Sequence, residues 1–214
     1  MGLRGSTAII GIAETAVGKV PDRSATTLCV DAALAAVRDA GLKLSDVDGL
    51  VTCNSMAQPH MYHAEAVAEY LGIRPRYCAT AAAGGGATLT VLYQAALAID
   101  AGICDTVVIS MADSLRTGLS REQAMIMQSS SGHAQYETPY GATVPGYYAL
   151  IAQAYLHAYG ASPEHFAAVA VSGRQHACLN PAAEMRKPIT IDDVLASRLI
   201  ADPLRLLDCS WLLS

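Results

Sequence analysis

TLTVLYQAALAIDA, running from Thr88 to Ala101, has no charged residue before Asp100. Leu89, Val91, Leu92, Ala95, Ala96, Leu97 and Ile99 fall on nearly every side of a helix of 3.6 residues per turn, and Gly102 stops it. An outer helix of a three-layer sandwich turns one polar face to water. A helix apolar nearly all round is expected to be buried nearly all round. The stretch therefore predicts a helix between two sheets, the middle of five layers that alternate helix and sheet.

The flanking sequence supplies the sheet. Before the helix come Tyr77–Ala81 (YCATA), which reads as a strand, and the turn Gly84-Gly85-Gly86; after it, Asp105–Met111 (DTVVISM) reads as a buried strand. Toward the N-terminus, Thr7–Ala13 (TAIIGIA) has the β-branched run of a buried strand. Ser24 is an N-cap for a helix with Leu28, Ala32, Ala35, Ala36 and Ala40 on one stripe and Gly41 at its end. Ser45–Gly49 is turn chemistry before a strand at Leu50–Cys53, and His63–Tyr70 is a short helix closed by Gly72. The order is β-α-β-α-β-α-β over residues 1–113. Apolar strands separated by helices imply a parallel sheet covered on both faces.

Residues 114–200 differ. Ala112–Tyr140 reads as loop, with a polar patch at Gln128-Ser129-Ser130-Ser131-Gly132; Pro145–Tyr159 reads as a helix. Ser162-Pro163-Glu164 opens another helix to about Ala177, and Thr190-Ile191-Asp192-Asp193 caps a third, to Leu199. This is a mostly helical insertion, and residues 201–214 are expected to return to the core.

Composition excludes several classes. With 14 Lys and Arg against 19 Asp and Glu, and no basic stripe, the chain offers no nucleic-acid footprint. Tyr77–Ile99 is uncharged, but its Ala, Gly, Thr, Tyr93 and Gln94 argue against a membrane span. The six cysteines form no CxxC pair and none has a histidine at metal-ligand spacing, so free thiols, a reducing cytoplasmic setting and no metal site are expected. No signal peptide is read at the N-terminus.

The junction Tyr77–Thr88 carries the chemistry. Unpaired amides at a helix N-terminus attract an anion, an oxyanion or a thiolate. A nucleotide site is weakened because GxGxxG and the Walker lysine are both absent. Close helix–strand packing that needs glycine is the plain alternative. His133, before Tyr136 and Glu137, is a candidate site residue, with a solvated loop histidine as its alternative. His157 and His165 read as surface residues and His176 as structural. Tyr140, Tyr147 and Tyr148 read as packing residues.

The chain resembles the thiolase superfamily, in particular its sterol-carrier-protein-type and lipid-transfer thiolase-like members. The resemblance is carried by Ala8–Val17, Ala32–Gly41, Ala95–Ser110, Tyr136–Val144, Tyr155–Ser162, His176–Pro181 and Ile200–Cys209. It implies the layered αβαβα thiolase-like α/β fold, of which this would be the N-terminal half with a loop-domain insertion that covers the substrate. It also implies a homodimer paired through the Tyr77–Ala81 strand. In the family a nucleophilic cysteine begins the buried helix. Counting back from Ala101-Gly102, that position here is about Gly85, while Cys78-Ala79-Thr80 resembles the Cys-Ala-Thr of some sterol-carrier thiolases and makes Cys78 a candidate nucleophile, with an inert buried thiol as its alternative. Relatives without this cysteine include aldolases that cleave β-hydroxyacyl-CoA thioesters beside a small subunit built of a zinc ribbon and an OB-fold. The resemblance thus implies carbon–carbon bond chemistry on acyl-CoA, by thiolase or retro-aldolase. Gly84, Gly85 and Gly86 would make room for the substrate, coenzyme A thioester would be the substrate, and no covalent cofactor is implied. A non-catalytic acyl-CoA-binding or partner-binding scaffold is the alternative. The family's second half, with its further catalytic residues, has no counterpart in this chain.

Overall fold

The apolar run Gly49–Cys53 (GLVTC) becomes the central strand, β1, of a parallel sheet of order β2-β1-β3, with β2 at Tyr77–Ala81 and β3 at Val107–Ser110. In this computed structural model, residues 3–129, 132–141 and 143–210 are described. The chain divides into two compact units, Met1–Gly118 and Leu119–Ser214. This compares with the three expected segments, 1–113, 114–200 and 201–214; residues 211–214 of the last lie outside the described residues.

In the first unit, helices cover both faces of the sheet. α1 spans Ala25–Asp39, α2 His63–Leu71 and α3 Ala87–Asp100. Ser24 caps α1 by accepting the Thr27 amide at 3.0 Å, and Gly72 closes α2 in the left-handed region at φ 70°. Cys29, Ala33 and Val37 of α1 meet Val67, Ala68 and Leu71 of α2 over Leu50 and Val108 of the sheet. On the opposite face Val91 and Ala95 of α3 pack over Val51 and Ala81. Alternation along the strands sends Leu50 one way and Val51 the other. A short helix, α4 (Leu115–Gly118), follows β3.

Four expectations change here. Thr7–Ala13 forms no strand among the described residues, and Ile9, Ile10 and Ile12 are exposed. It lies on α1 instead of at a sheet edge. Gly11 sits so near the end of α1 that a Cβ there would be 2.4 Å from the Ala36 carbonyl oxygen, and the Ile12 amide donates to Asp39. The buried stripe of α1 is Ala25, Leu28, Cys29, Ala33 and Val37, turned from the expected one that held Ala32, Ala35, Ala36 and Ala40. The helix is apolar on most sides, so the sheet selects which side is used. Third, α3 buries Ala87, Val91, Ala95 and Ala98 but leaves Leu89 74% exposed, with Tyr93 and Leu97 also open. Among the described residues, only one of its two apolar faces meets a sheet. Fourth, the cap at Thr190 opens a helix that ends at Ala196, and Leu199 belongs to a strand.

The second unit holds α5 (Arg121–Ser129), α6 (Val144–Tyr159), α7 (Pro163–Leu179) and α8 (Ile191–Ala196), followed by the antiparallel pair β4 (Leu199–Ala201) and β5 (Leu204–Arg205). α5 occupies part of the expected loop. Its start is a reciprocal cap: the Gln123 amide donates to Ser120 Oγ at 3.1 Å, and the Ser120 amide donates to Gln123 Oε1 at 2.8 Å. Of the expected polar patch, Ser130 and Ser131 lie outside the described residues.

Candidate active site

The carboxyl ends of the three strands lie side by side. Cys53 pairs with Ala81 and Thr52 with Ser110. The chain leaves the three strands at Asn54, Ala82 and Met111. In parallel α/β sheets ligands bind outside this edge.

Ala82 leads into a single 3-10 turn at Gly84–Gly86 and then into α3. A Cβ added at Gly84, Gly85 or Gly86 would meet no heavy atom within 4 Å. The close-packing explanation for these glycines therefore fails within this chain. Gly86 is the cap residue of α3 and offers no side chain to the first-turn amides. The turn and the helix end together form an open cradle, within which the Gly86 and Ala87 amides donate to the Ala83 and Gly84 carbonyls.

Cys78 does not belong to this cradle. It lies opposite Leu50 in β2 and packs against the cluster of α1 and α2, whereas Tyr77 and Ala79 face α3. Burial, and then Glu65, push its thiol above the ordinary range. Cys53, on the α3 side at the end of β1, has its Sγ 3.1 Å from Met111 Sδ. Its thiol is also raised, by burial and then by Cys29. Cys29 is fully buried, with its sulfur 3.3 Å from Ser110 Oγ; burial raises it although Ser110 and Thr52 act in the other direction. None of these three thiols has the electropositive setting that favours a thiolate.

His133 lies in the second unit and Cys78 in the first. His133 is exposed, stacks on Tyr136 with ring centroids 4.8 Å apart, and its Nδ1 accepts the Gln135 amide at 3.2 Å. Its carbonyl accepts the amides of Tyr136, Glu137 and Thr138. These contacts shape a local turn. Tyr140 is 85% exposed and Tyr148 is also open, so neither is the packing residue expected; the Tyr147 hydroxyl is buried and unpaired. Among the described residues no three His, Cys, Asp or Glu side chains converge as metal ligands, and no helix is long and apolar enough to cross a membrane.

Sequence reasoning passed over Asp113. Its carboxylate accepts from Ser55 Oγ and from the amides of Met56, Ala57 and Ser114. The signal is present as two turn pairs, Asn54-Ser55 and Asp113-Ser114, each just after a strand.

Residues 7–211 match the thiolase N-terminal domain. The chain belongs to the thiolase family. It is 39% identical to a steroid side-chain-cleaving aldolase of Thermomonospora curvata, with 97% of this chain and 54% of that protein covered. It is 38% identical to the 17-hydroxy-3-oxo-4-pregnene-20-carboxyl-CoA lyase of Mycobacterium tuberculosis, with 97% and 55% covered. Among solved structures, the Ltp2-ChsH2(DUF35) aldolase superposes with a TM-score of 0.80 at 37% identity, over 95% of this chain and 52% of that one. These likenesses confirm the layered α/β thiolase fold and the sterol-carrier-protein-type kinship. The chain spans about half the length of these relatives.

Proposed function

We propose that this chain is the N-terminal half of an acyl-CoA carbon–carbon lyase that works by retro-aldol cleavage of a β-hydroxyacyl-CoA. The observation that carries the reading is the open glycine cradle at the start of α3, where a thiolase nucleophile would stand, together with raised thiols at Cys53 and Cys78. The kinship with a steroid side-chain-cleaving aldolase and an acyl-CoA lyase supports it.

The reaction needs no nucleophile. A base takes the proton of the β-hydroxyl, the Cα–Cβ bond breaks, and a ketone or aldehyde leaves. The electron pair of that bond becomes a thioester enolate, which is protonated at Cα to give the shortened acyl-CoA. The amides at the start of α3 would stabilise the negative oxygen of the enolate, and the glycines would leave room for a bulky acyl group. The base is assigned to the remainder of the complete protein.

Homodimerisation through β2, a cytoplasmic location and a small zinc-ribbon and OB-fold partner belong to the same proposal. β2 is at the edge of the sheet, and all six cysteines are free. The two-component naming of the Ltp2-ChsH2(DUF35) aldolase fits a partner subunit. The test is to incubate the complete natural polypeptide with β-hydroxyacyl-CoA and follow products by mass spectrometry. Release of a ketone or aldehyde with the shortened thioester is expected. Binding of the thioester without turnover would favour the scaffold alternative.

A further inference from the structure

Two sulfur side chains meet at the carboxyl edge of the sheet, on the face that α3 covers. Cys53 forms the last pair of the β1–β2 register, with Ala81, and packs on the α3 side. Val107 and Ile109 of β3 pack on that side too, so alternation turns Met111, two residues beyond Ile109, the same way. The contact agrees, with Met111 Sδ 3.1 Å from Cys53 Sγ. Cys53 is half-buried and Met111 is 36% exposed.

The start of α3 reaches the same edge. α3 joins β2 to β3, which flank β1, and Val91 packs over Val51 of β1. A helix that links two parallel strands runs back against their direction. One turn back from Val91 is Ala87, the first residue of α3, about 5.4 Å nearer the carboxyl edge. Two residues on from Val51 is Cys53, about 7 Å nearer that edge. Cys53 therefore lies beneath the first turn of α3, next to the glycine turn, with Met111 beside it.

A thioether on three rotatable bonds is polarizable and changes shape easily, so it fits apolar groups of different outline. Two arms leave a thioester seated at the cradle. The pantetheine arm carries amides, which lose hydrogen bonds against an apolar surface. The acyl arm does not. We propose that Met111 is a specificity-determining residue, its thioether forming with Cys53 the wall that receives the acyl arm of the β-hydroxyacyl-CoA. The proposal rests on the lyase reading above. The wall favours a bulky apolar acyl group over a short one, because the larger group removes more apolar surface from water.

The experiment measures kcat/KM of the complete natural polypeptide for 3-hydroxybutyryl-CoA and for a β-hydroxyacyl-CoA that carries a cyclohexyl group on its β-carbon. Wild type, Met111→Ala and Met111→Leu are compared. The ratio of the bulky to the short thioester is expected to fall about tenfold in Met111→Ala. Met111→Leu, which keeps the volume, is expected to recover most of that loss. General damage to the fold lowers both substrates alike, so an unchanged or raised ratio in Met111→Ala overturns the proposal. Turnover of neither thioester by the wild type overturns the lyase reading alone. The wall is then judged by the ratio of the two dissociation constants from calorimetry, where loss of preference for the bulky thioester in Met111→Ala supports it and an unchanged ratio overturns it. A wild type that binds neither thioester overturns both.

Discussion

His63 is 1% exposed at the first turn of α2, and its Nε2 has no hydrogen-bond partner. Burial, and secondarily His60, hold its pKa below the ordinary histidine value, while Asp113 pulls the other way. The unfolded chain therefore takes up a proton at higher pH than the folded chain does. The stability associated with neutral His63 is present above the unfolded pKa, about 6.5, and is lost as pH falls below it. Thermal melts between pH 8 and pH 5 should show a falling midpoint in the wild type and a flatter profile in His63→Leu. Equal slopes would show that His63 is not the group responsible. The same rule of burial applies to Cys78. A sequence displays a cysteine near a glycine turn, but it does not display which face of the strand the cysteine occupies. Register and alternation decide that, and they direct Cys78 away from α3.

At the scale of elements, local chemistry was the more readable part. Ser24 before α1, Pro163 in the first turn of α7 and Thr190 before α8 all mark helix starts where the structure has them. The cap Ser120-Arg121-Glu122-Gln123 carries the same kind of signal, inside a stretch that reads as loop. Long-range pairing was less readable. Thr7–Ala13 has the residues of a strand, yet strand propensity is only a fit to a half-buried surface, and among the described residues no strand pairs with this segment. The α3 prediction divides in the same way. The helix and its limits follow from the sequence, whereas among the described residues nothing covers its second apolar face, where Leu89, Tyr93 and Leu97 are open. In the complete polypeptide, Leu89→Asp should lower the melting temperature by many degrees, since a buried, unpaired charge costs several kcal/mol. An unchanged midpoint would mean that this face stays in water.

For the whole molecule, the edge position of β2 has a consequence for assembly. An uncharged edge strand invites pairing with a second copy. Ala79→Glu should convert the proposed β2-paired dimer to monomer in sedimentation velocity. Because Ala79 also packs on the α3 side of the sheet, a circular dichroism melt of the same sample separates dissociation from unfolding. A folded, dimeric Ala79→Glu protein would remove β2 from the interface. Of the candidate site, the glycine turn and the start of α3 stand where the sequence puts them, whereas the hydrogen bonds to the Asp113 carboxylate were not legible, because its partners are far apart in the chain and are brought together by the β1–β3 pairing.

The central claim is that this thiolase-family chain works without a thiol nucleophile. The measurement is product analysis of the complete natural polypeptide and its Cys78→Ala variant, each given β-hydroxyacyl-CoA and, separately, β-ketoacyl-CoA with free coenzyme A. The account predicts cleavage of the β-hydroxyacyl-CoA at equal rates by both proteins. Thiolytic cleavage of the β-ketoacyl-CoA that disappears in Cys78→Ala would contradict it.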